Sequence, residues 1–245
     1  MVGAPAAADA VARARRLPSL RVGLHLVLVD GLPLLRPERI PDLVDAQARL
    51  RRDMTAAGVG MFLRPGVRRQ LAAEIDAQFR AYRATGLPLD HVNAHHHFHL
   101  HPTVNAQMLA IGQRYGMRAV RVPWEAKAVL SGIDSRSYRR HWLEAPWVAV
   151  LKRRVRRHGL MASDRVFGLA WSGAMTEARL AGLLRHLPEG LTEIYTHPAT
   201  GGGFAGATNG YRYGEELAAL TAPAVKEALR ASGARSGGYA DFLSG

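Results

Sequence analysis

Short apolar or alternating runs recur along this chain. Between them lie longer stretches with apolar positions three and four apart. "RVGLHLVLV" (21–29) alternates and predicts a strand, and "LDHVNAHHHFHL" (89–100) begins as one. "MRAVRVP" (117–123), "DRVFGLAW" (164–171) and "LTEIYTHP" (191–198) are similar short runs, the last stopped by Pro198. Helices are predicted over 43–58 and 67–86, each closing on a glycine, and over 103–115, 176–187 and 222–232. The Ala-rich start, "MVGAPAAADAVARARR", reads as an ordinary helix and not a signal peptide. Strands alternating with helices predict an α/β fold with a parallel sheet and crossover helices. A (β/α)-barrel-like form of that fold places chemistry at the C-terminal ends of strands. No linker or internal repeat divides residues 1–245, so a single domain is expected. Residues 126–163 break the rhythm and read as an insertion. The six glycines of "TGGGFAGATNGYRYG" (200–214) lack a Gly-Lys-Ser/Thr ending, so the segment reads as a loop and not a phosphate loop.

Composition narrows the chemistry. The 245 residues include no cysteine, which excludes disulfides, thiolate zinc sites and a cysteine nucleophile. Any metal must be held by His, Asp or Glu. No apolar run is long enough for a spanning helix. The net charge of +13 is uneven: residues 136–158 hold eight Lys/Arg and one acid, Glu144. With Trp142 and Trp147 among them, this segment suits an anionic membrane surface. The favoured reading is nonetheless a solvated helical face, with the membrane surface second and a nucleic-acid track last.

Six of the eleven histidines fall in "HVNAHHHFHLHP" (91–102). In an extended segment His95, His97, His99 and His101 share one face, and Pro102 places them at a strand end. A lone histidine is more often a satisfied polar residue, but this density favours a metal site. His25, inside an apolar strand, and His197, before the glycine-rich loop, are weaker candidates taken singly. An imidazole at position 197 suits proton transfer near neutral pH. Glu193 shares the face of His197 if that strand stays regular, and could orient the ring; a surface salt bridge is the alternative. His141, His158 and His186 read as surface residues.

Taken in order, "VGLHLVL", "LDHVNAHHHFHLHP", "RAVRVPWE", "TEIYTHPAT" and "RYGEELAALTAPAVKEAL" with "SGGYADF" resemble the YdjC-like carbohydrate deacetylases over nearly the whole chain. "HHHFHLHP" and "GLTEIYTHPAT" look nearest to the branch associated with hopanoid biosynthesis. The resemblance implies a (β/α)-barrel-like fold and N-deacetylation of an acetamido sugar dependent on a divalent metal, Zn or Mg. His25 and His95 match metal ligands, His197 a general acid, and Arg121 a substrate-binding position, with His97 and His99 beside the substrate or behind the ligands. The family's Asp in the histidine motif is Asn93 here.

The family also opens on a strand ending in "DDFG", which supplies a third ligand and a base. That motif is not in this sequence, Met1 reads as an internal methionine, and Asp9 and Asp30 do not stand in the motif's context. The first strand and helix are therefore expected to be missing. The branch implies a glycolipid substrate, giving the basic 136–158 segment a use at the membrane of an otherwise cytoplasmic enzyme. The alternatives are an inactive fragment and a non-catalytic metal- or nucleic-acid-binding protein.

Overall fold

The computed structural model of the protein describes residues 1–134, 145–204 and 206–243. Arg136, Arg139, Arg140 and Trp142 of the basic segment lie outside the described residues. The chain divides into two compact units. The first holds Met1–Arg121, Val150–Ala162 and Gly237–Gly245; the second holds Val122–Ala149 and Ser163–Ser236.

In the first unit, strand β1 (Leu24–Leu26) pairs in parallel with β2 (Val92–Ala94), in the register Leu24–Val92, His25–Asn93 and Leu26–Ala94. Parallel neighbours need a crossover. Here it contains helices α2 (Met54–Leu63) and α3 (Pro65–Ala84). Helix α1 (Ala7–Arg15) precedes β1, and α4 (Pro102–Arg114) follows the histidine segment. Single parallel bridges, Val92 to Val120 and Ala119 to Met161, continue the pattern of β2. Helix α3 starts on Pro65, whose missing N–H costs nothing at a first turn. It buries Val67, Leu71, Ile75, Phe79 and Tyr82 along one face. Two polar residues on that helix are also buried. Gln78 takes the N–H of Val27 at 2.9 Å and donates to its carbonyl at 2.7 Å, replacing a missing strand partner. Glu74 accepts the N–H groups of Leu34 and Leu35 at 2.9 and 3.0 Å. Helix α3 thereby holds both ends of the loop that leaves β1.

In the second unit, β3 (Arg165–Phe167) and β4 (Thr192–Ile194) form another parallel pair, with α7 (Glu177–Arg185) in the crossover. Thr176 caps α7 through its hydroxyl. Helices α5 (Lys127–Ile133), α8 (Tyr213–Thr221) and α9 (Pro223–Ala231) also belong here. Phe167, Trp171, Met175, Leu183, Ala219 and Val225 share its core. The Glu125 carboxylate accepts three successive N–H groups, from Gly168, Leu169 and Ala170 at 2.8 to 2.9 Å, and so shapes the turn after β3. Helix α6 (Ala145–Arg157) carries the described part of the basic segment.

The fold is thus α/β with parallel ladders, as the alternation predicts, but the strands are only three residues long. The run 117–123 supplies isolated bridges and no ladder. The helix expected over 43–58 is a correction. Asp45 Oδ1 accepts the N–H groups of Gln47 and Arg49 at 3.0 and 2.9 Å, and Ala48 adopts φ 59°. This side-chain turn competes with helix and wins. Val44 then bridges Leu50, and the helix begins only at Met54, where Asp53 caps the N–H of Ala56 at 2.9 Å.

Candidate functional site

The histidine run does not stay extended. Strand β2 ends at Ala94, and residues 95–100 form a kinked 3-10 turn in which His96 and His97 adopt φ 51° and 53°. The shared face expected for His95, His97, His99 and His101 is therefore absent. Each ring has its own surroundings. His91 bonds through Nδ1 to Asp90 at 2.8 Å and lies 4.9 Å, between ring centroids, from Tyr239. Asp90 also accepts the N–H groups of Tyr239 and Ala240, so these two residues clasp the C-terminal segment. His99 is 1% exposed and donates from Nε2 to the carbonyl of Arg121 at 2.7 Å. Burial pushes this imidazole down to about 4. His101 lies between the rings of Phe62 and Phe98, at 6.3 and 5.9 Å. His97 is half-buried, with its ring 6.2 Å from that of His99.

His95 and His96 remain, their ring centroids 4.0 Å apart. Asp30 meets them from the loop after β1. Its left-handed backbone (φ 47°) is held by its N–H on the Arg51 carbonyl at 3.1 Å. Gly31 follows it where a Cβ would strike Val27 at 2.3 Å. Among the described residues, Asp30, His95 and His96 form a group whose ligand atoms all lie within 4.8 Å of one another. One Asp30 oxygen is 3.4 Å from His96 Nε2; the other pairs with Arg52 at 3.1 Å. Two imidazoles and a carboxylate are a donor set suited to Zn and similar divalent ions. The residues present fit such a metal. Neither Asp30 nor His96 was singled out by sequence as a ligand; the signals were the histidine density for His96 and, for Asp30, a polar residue just past an apolar strand.

His25 stands beside this group, its ring centroid 5.7 Å from that of His95. Burial pushes its imidazole down to about 3, with the Asn93 hydrogen bond opposing, so the ring is neutral at physiological pH. Its Nδ1 is 2.6 Å from the Asn93 amide. The amide orientation that satisfies all three side chains donates from Asn93 N–H to His25 Nδ1. It also accepts from Arg121 Nη1 and Nη2 at 3.0 and 3.3 Å. That orientation puts the His25 proton on Nε2. Ligation through Nε2 requires the other tautomer, and therefore a turned amide whose NH2 faces the guanidinium.

His197 belongs to the second unit. Strand β4 ends at Ile194, though the Tyr195 N–H still reaches the Phe167 carbonyl at 2.9 Å. The His197 backbone N–H donates to Glu216, whose other oxygen accepts from Met175 at 2.9 Å. Its ring lies 5.5 Å from Tyr195 and 5.0 Å from Tyr211. Tyr211 shares a 2.8 Å hydrogen bond with the Ser172 hydroxyl and packs on Gly173, whose φ of 74° and missing side chain the contact requires. Glu216, buried at 1% exposure, is thus the carboxylate that fixes the His197 main chain, a contact sequence could not reveal. Glu193 sits within β4, half-buried.

These features define an α/β protein with a carboxylate–imidazole group at the end of a parallel strand pair. The family model for YdjC-like proteins matches residues 1–231, and the chain belongs to that family. A carbohydrate deacetylase of Brevibacillus brevis is 33% identical over 138 residues, covering 54% of this chain and 52% of that protein. One from Thermoanaerobacter pseudethanolicus is 24% identical, over 81% of this chain and 68% of its own length. A chitooligosaccharide deacetylase of Yersinia pestis is 29% identical, over 91% and 79%. The chain matches about half the length of the Brevibacillus relative. A crystal structure from Enterococcus faecalis, described as a candidate cellobiose-phosphate cleavage protein, has the same fold. Its TM-score is 0.72 at 21% identity, and the match covers 99% of this chain and 85% of that one.

Proposed function

We propose that this chain is a metal-dependent carbohydrate N-deacetylase, releasing acetate from an acetamido sugar and leaving an amino sugar. The observation that carries this reading is the Asp30, His95 and His96 group in a chain of the YdjC-like family. The names of the relatives above supply the substrate class. A divalent metal, Zn or Mg, held by His95 with Asp30 and His96, and with His25 at its edge, would supply the Lewis acidity that amide hydrolysis needs. The chain's own groups do the rest. Arg121, held through Asn93 and by its carbonyl on His99, orients a sugar hydroxyl or carbonyl. His97 completes the polar surroundings. The family resemblance gives His197, whose backbone Glu216 fixes in the second unit, the role of proton donor to the departing amine.

The fold reading that accompanies this is a (β/α)-barrel-like arrangement, supported by the parallel ladders and their helical crossovers. The finer substrate reading is a hopanoid glycolipid processed at the cytoplasmic face of a membrane. Helix α6 supports it: Trp147 and Val150 are 41% and 54% exposed beside Lys152, Arg153, Arg154, Arg156 and Arg157. No helix among the described residues is long and apolar enough to cross a membrane.

The test is acetate release from N-acetylglucosaminyl lipid and from chitooligosaccharide, with added Zn or Mg and with chelator. Metal-dependent release that His95→Ala abolishes supports the reading. A folded protein that binds metal and releases no acetate from either substrate rejects it.

A further inference from the structure

Helix α2 is built inside out. Its ten residues, MTAAGVGMFL, contain no charge. Only Ala57, Gly58 and Met61 are buried, while Met54, Val59, Phe62 and Leu63 are 44%, 53%, 50% and 65% exposed. Positions 59, 62 and 63 fall on one side of a helix, away from Ala57, Gly58 and Met61, so Val59, Phe62 and Leu63 form an exposed apolar stripe, with Met54 outside it. Monomeric surfaces seldom gather large aliphatic and aromatic groups in this way unless something covers them.

Two observations identify what covers it. The first is charge. Arg51 and Arg52 precede the helix, and Arg64, Arg68 and Arg69 follow it, all exposed. Asp53 caps the helix, and Asp42 and Asp30 pair with Arg64 and Arg52, so the positive charge beside the helix rests chiefly on Arg51, Arg68 and Arg69. An uncharged apolar stripe between clusters of arginine is the pattern of a helix lying in the headgroup region of an anionic bilayer. The second is continuity with the candidate site. Phe62 makes an edge contact with His101, which stacks on Phe98, and a Cβ on Gly58 would lie 3.4 Å from His101. Phe62 thus links the stripe to the residue that closes the histidine turn, within the first unit.

We propose that helix α2 is a membrane-docking element, seating Val59, Phe62 and Leu63 among the acyl chains of an anionic bilayer while Arg51, Arg68 and Arg69 meet lipid phosphates. This does not rest on the deacetylase reading, and it is separate from the basic face of α6. It also implies that the histidine turn is presented close to the lipid surface.

The absence of cysteine allows a clean test. Leu63→Cys and, separately, Val150→Cys are labelled with a polarity-sensitive fluorophore in the full chain. Each is mixed with vesicles of phosphatidylcholine alone or with phosphatidylglycerol. The label at 63 is expected to shift to the blue with phosphatidylglycerol and to be quenched by nitroxide placed in the acyl chains. Val59→Ser, Phe62→Ser and Leu63→Ser combined are expected to weaken vesicle co-sedimentation by about tenfold or more, with the thermal midpoint of free protein retained. Three results would overturn the proposal. They are no co-sedimentation with either vesicle, a response confined to the label at 150, and lipid-free dimers that the triple substitution dissolves. The triple variant should still release acetate from soluble chitooligosaccharide if the deacetylase reading holds, so the two ideas fail separately.

Discussion

Replacing Asn93 by aspartate tests the arrangement at the heart of the candidate site. Asn93 is 6% exposed and faces two groups with opposite demands. Arg121 offers only N–H donors, at 3.0 and 3.3 Å, and so claims the amide oxygen. That leaves the amide N–H for His25 Nδ1 at 2.6 Å and places the imidazole proton on Nε2. A carboxylate removes the conflict, because it accepts from both neighbours. His25 then carries its proton on Nδ1 and presents a lone pair at Nε2. The new charge is buried, but Arg121 already stands opposite it. Each charge-assisted hydrogen bond contributes about 1.5–3 kcal/mol. Partners behind a metal-binding histidine typically alter affinity by about 10- to 100-fold. If His25 joins the ligand group, Asn93→Asp should therefore tighten Zn binding by about that factor, measured by competition with a chromophoric chelator. Nitrogen NMR of the imidazole gives a second readout: Nδ1 unprotonated in the parent chain and protonated in the variant. Unchanged affinity together with an unchanged tautomer would refute the reasoning.

Other outcomes follow from the same contacts. His25 and His99 are held at about 3 and about 4, against about 6.5 for an unfolded histidine, so the metal-free unfolded chain takes up protons that the folded chain refuses. Their stabilising effect is complete above about pH 6.5 and is lost as pH falls toward 4. At pH 5 the loss is about 2 kcal/mol for each, to be read from urea midpoints at pH 7 and 5; a flat profile over that range contradicts it. Glu216→Ala strands the buried N–H of Met175 and the part-buried N–H of His197, and should cost about 2–3 kcal/mol. It should also lower kcat more than KM if His197 is the proton donor, whereas equal loss in both would place Glu216 in a purely structural role. Asp90→Asn should free the C-terminal segment, seen as faster amide exchange at Tyr239 and Ala240 with metal affinity unchanged. Asp30→Asn should weaken metal binding by at least about tenfold, while Asp9→Asn, at an exposed position on α1, should leave it as it was.

The α/β class was legible because helix and strand patterns depend on spacing, and the spacing here is regular. The 67–86 stretch shows apolar positions at the right intervals, and α3 forms there. What pattern could not show were the places where a side chain takes over a backbone group. Asp45 closes a turn inside an expected helix, and Gln78 serves as a strand edge for Val27. Glu216 reaches from α8 to His197. These partners are separated by 4, 51 and 19 residues, and no periodicity encodes them.

The histidine segment shows how much turns on a single backbone choice. Six histidines in twelve residues suggest a ladder of ligands only while the chain stays extended. Once His96 and His97 turn left-handed, successive side chains no longer alternate, and neighbours in sequence become neighbours in space. His96 moves next to His95 and toward Asp30, while His99 sinks beneath Arg121 and His101 into a ring stack with Phe98. Left-handed backbone costs a non-glycine residue about 1–3 kcal/mol, so two consecutive instances need support from their surroundings. The buried rings of Phe98 and His99, directly after the kink, provide it by fixing the far side of the turn. The histidines that anchor this turn and those that fit a metal are therefore different residues, and the first group is what makes the geometry of the second attainable.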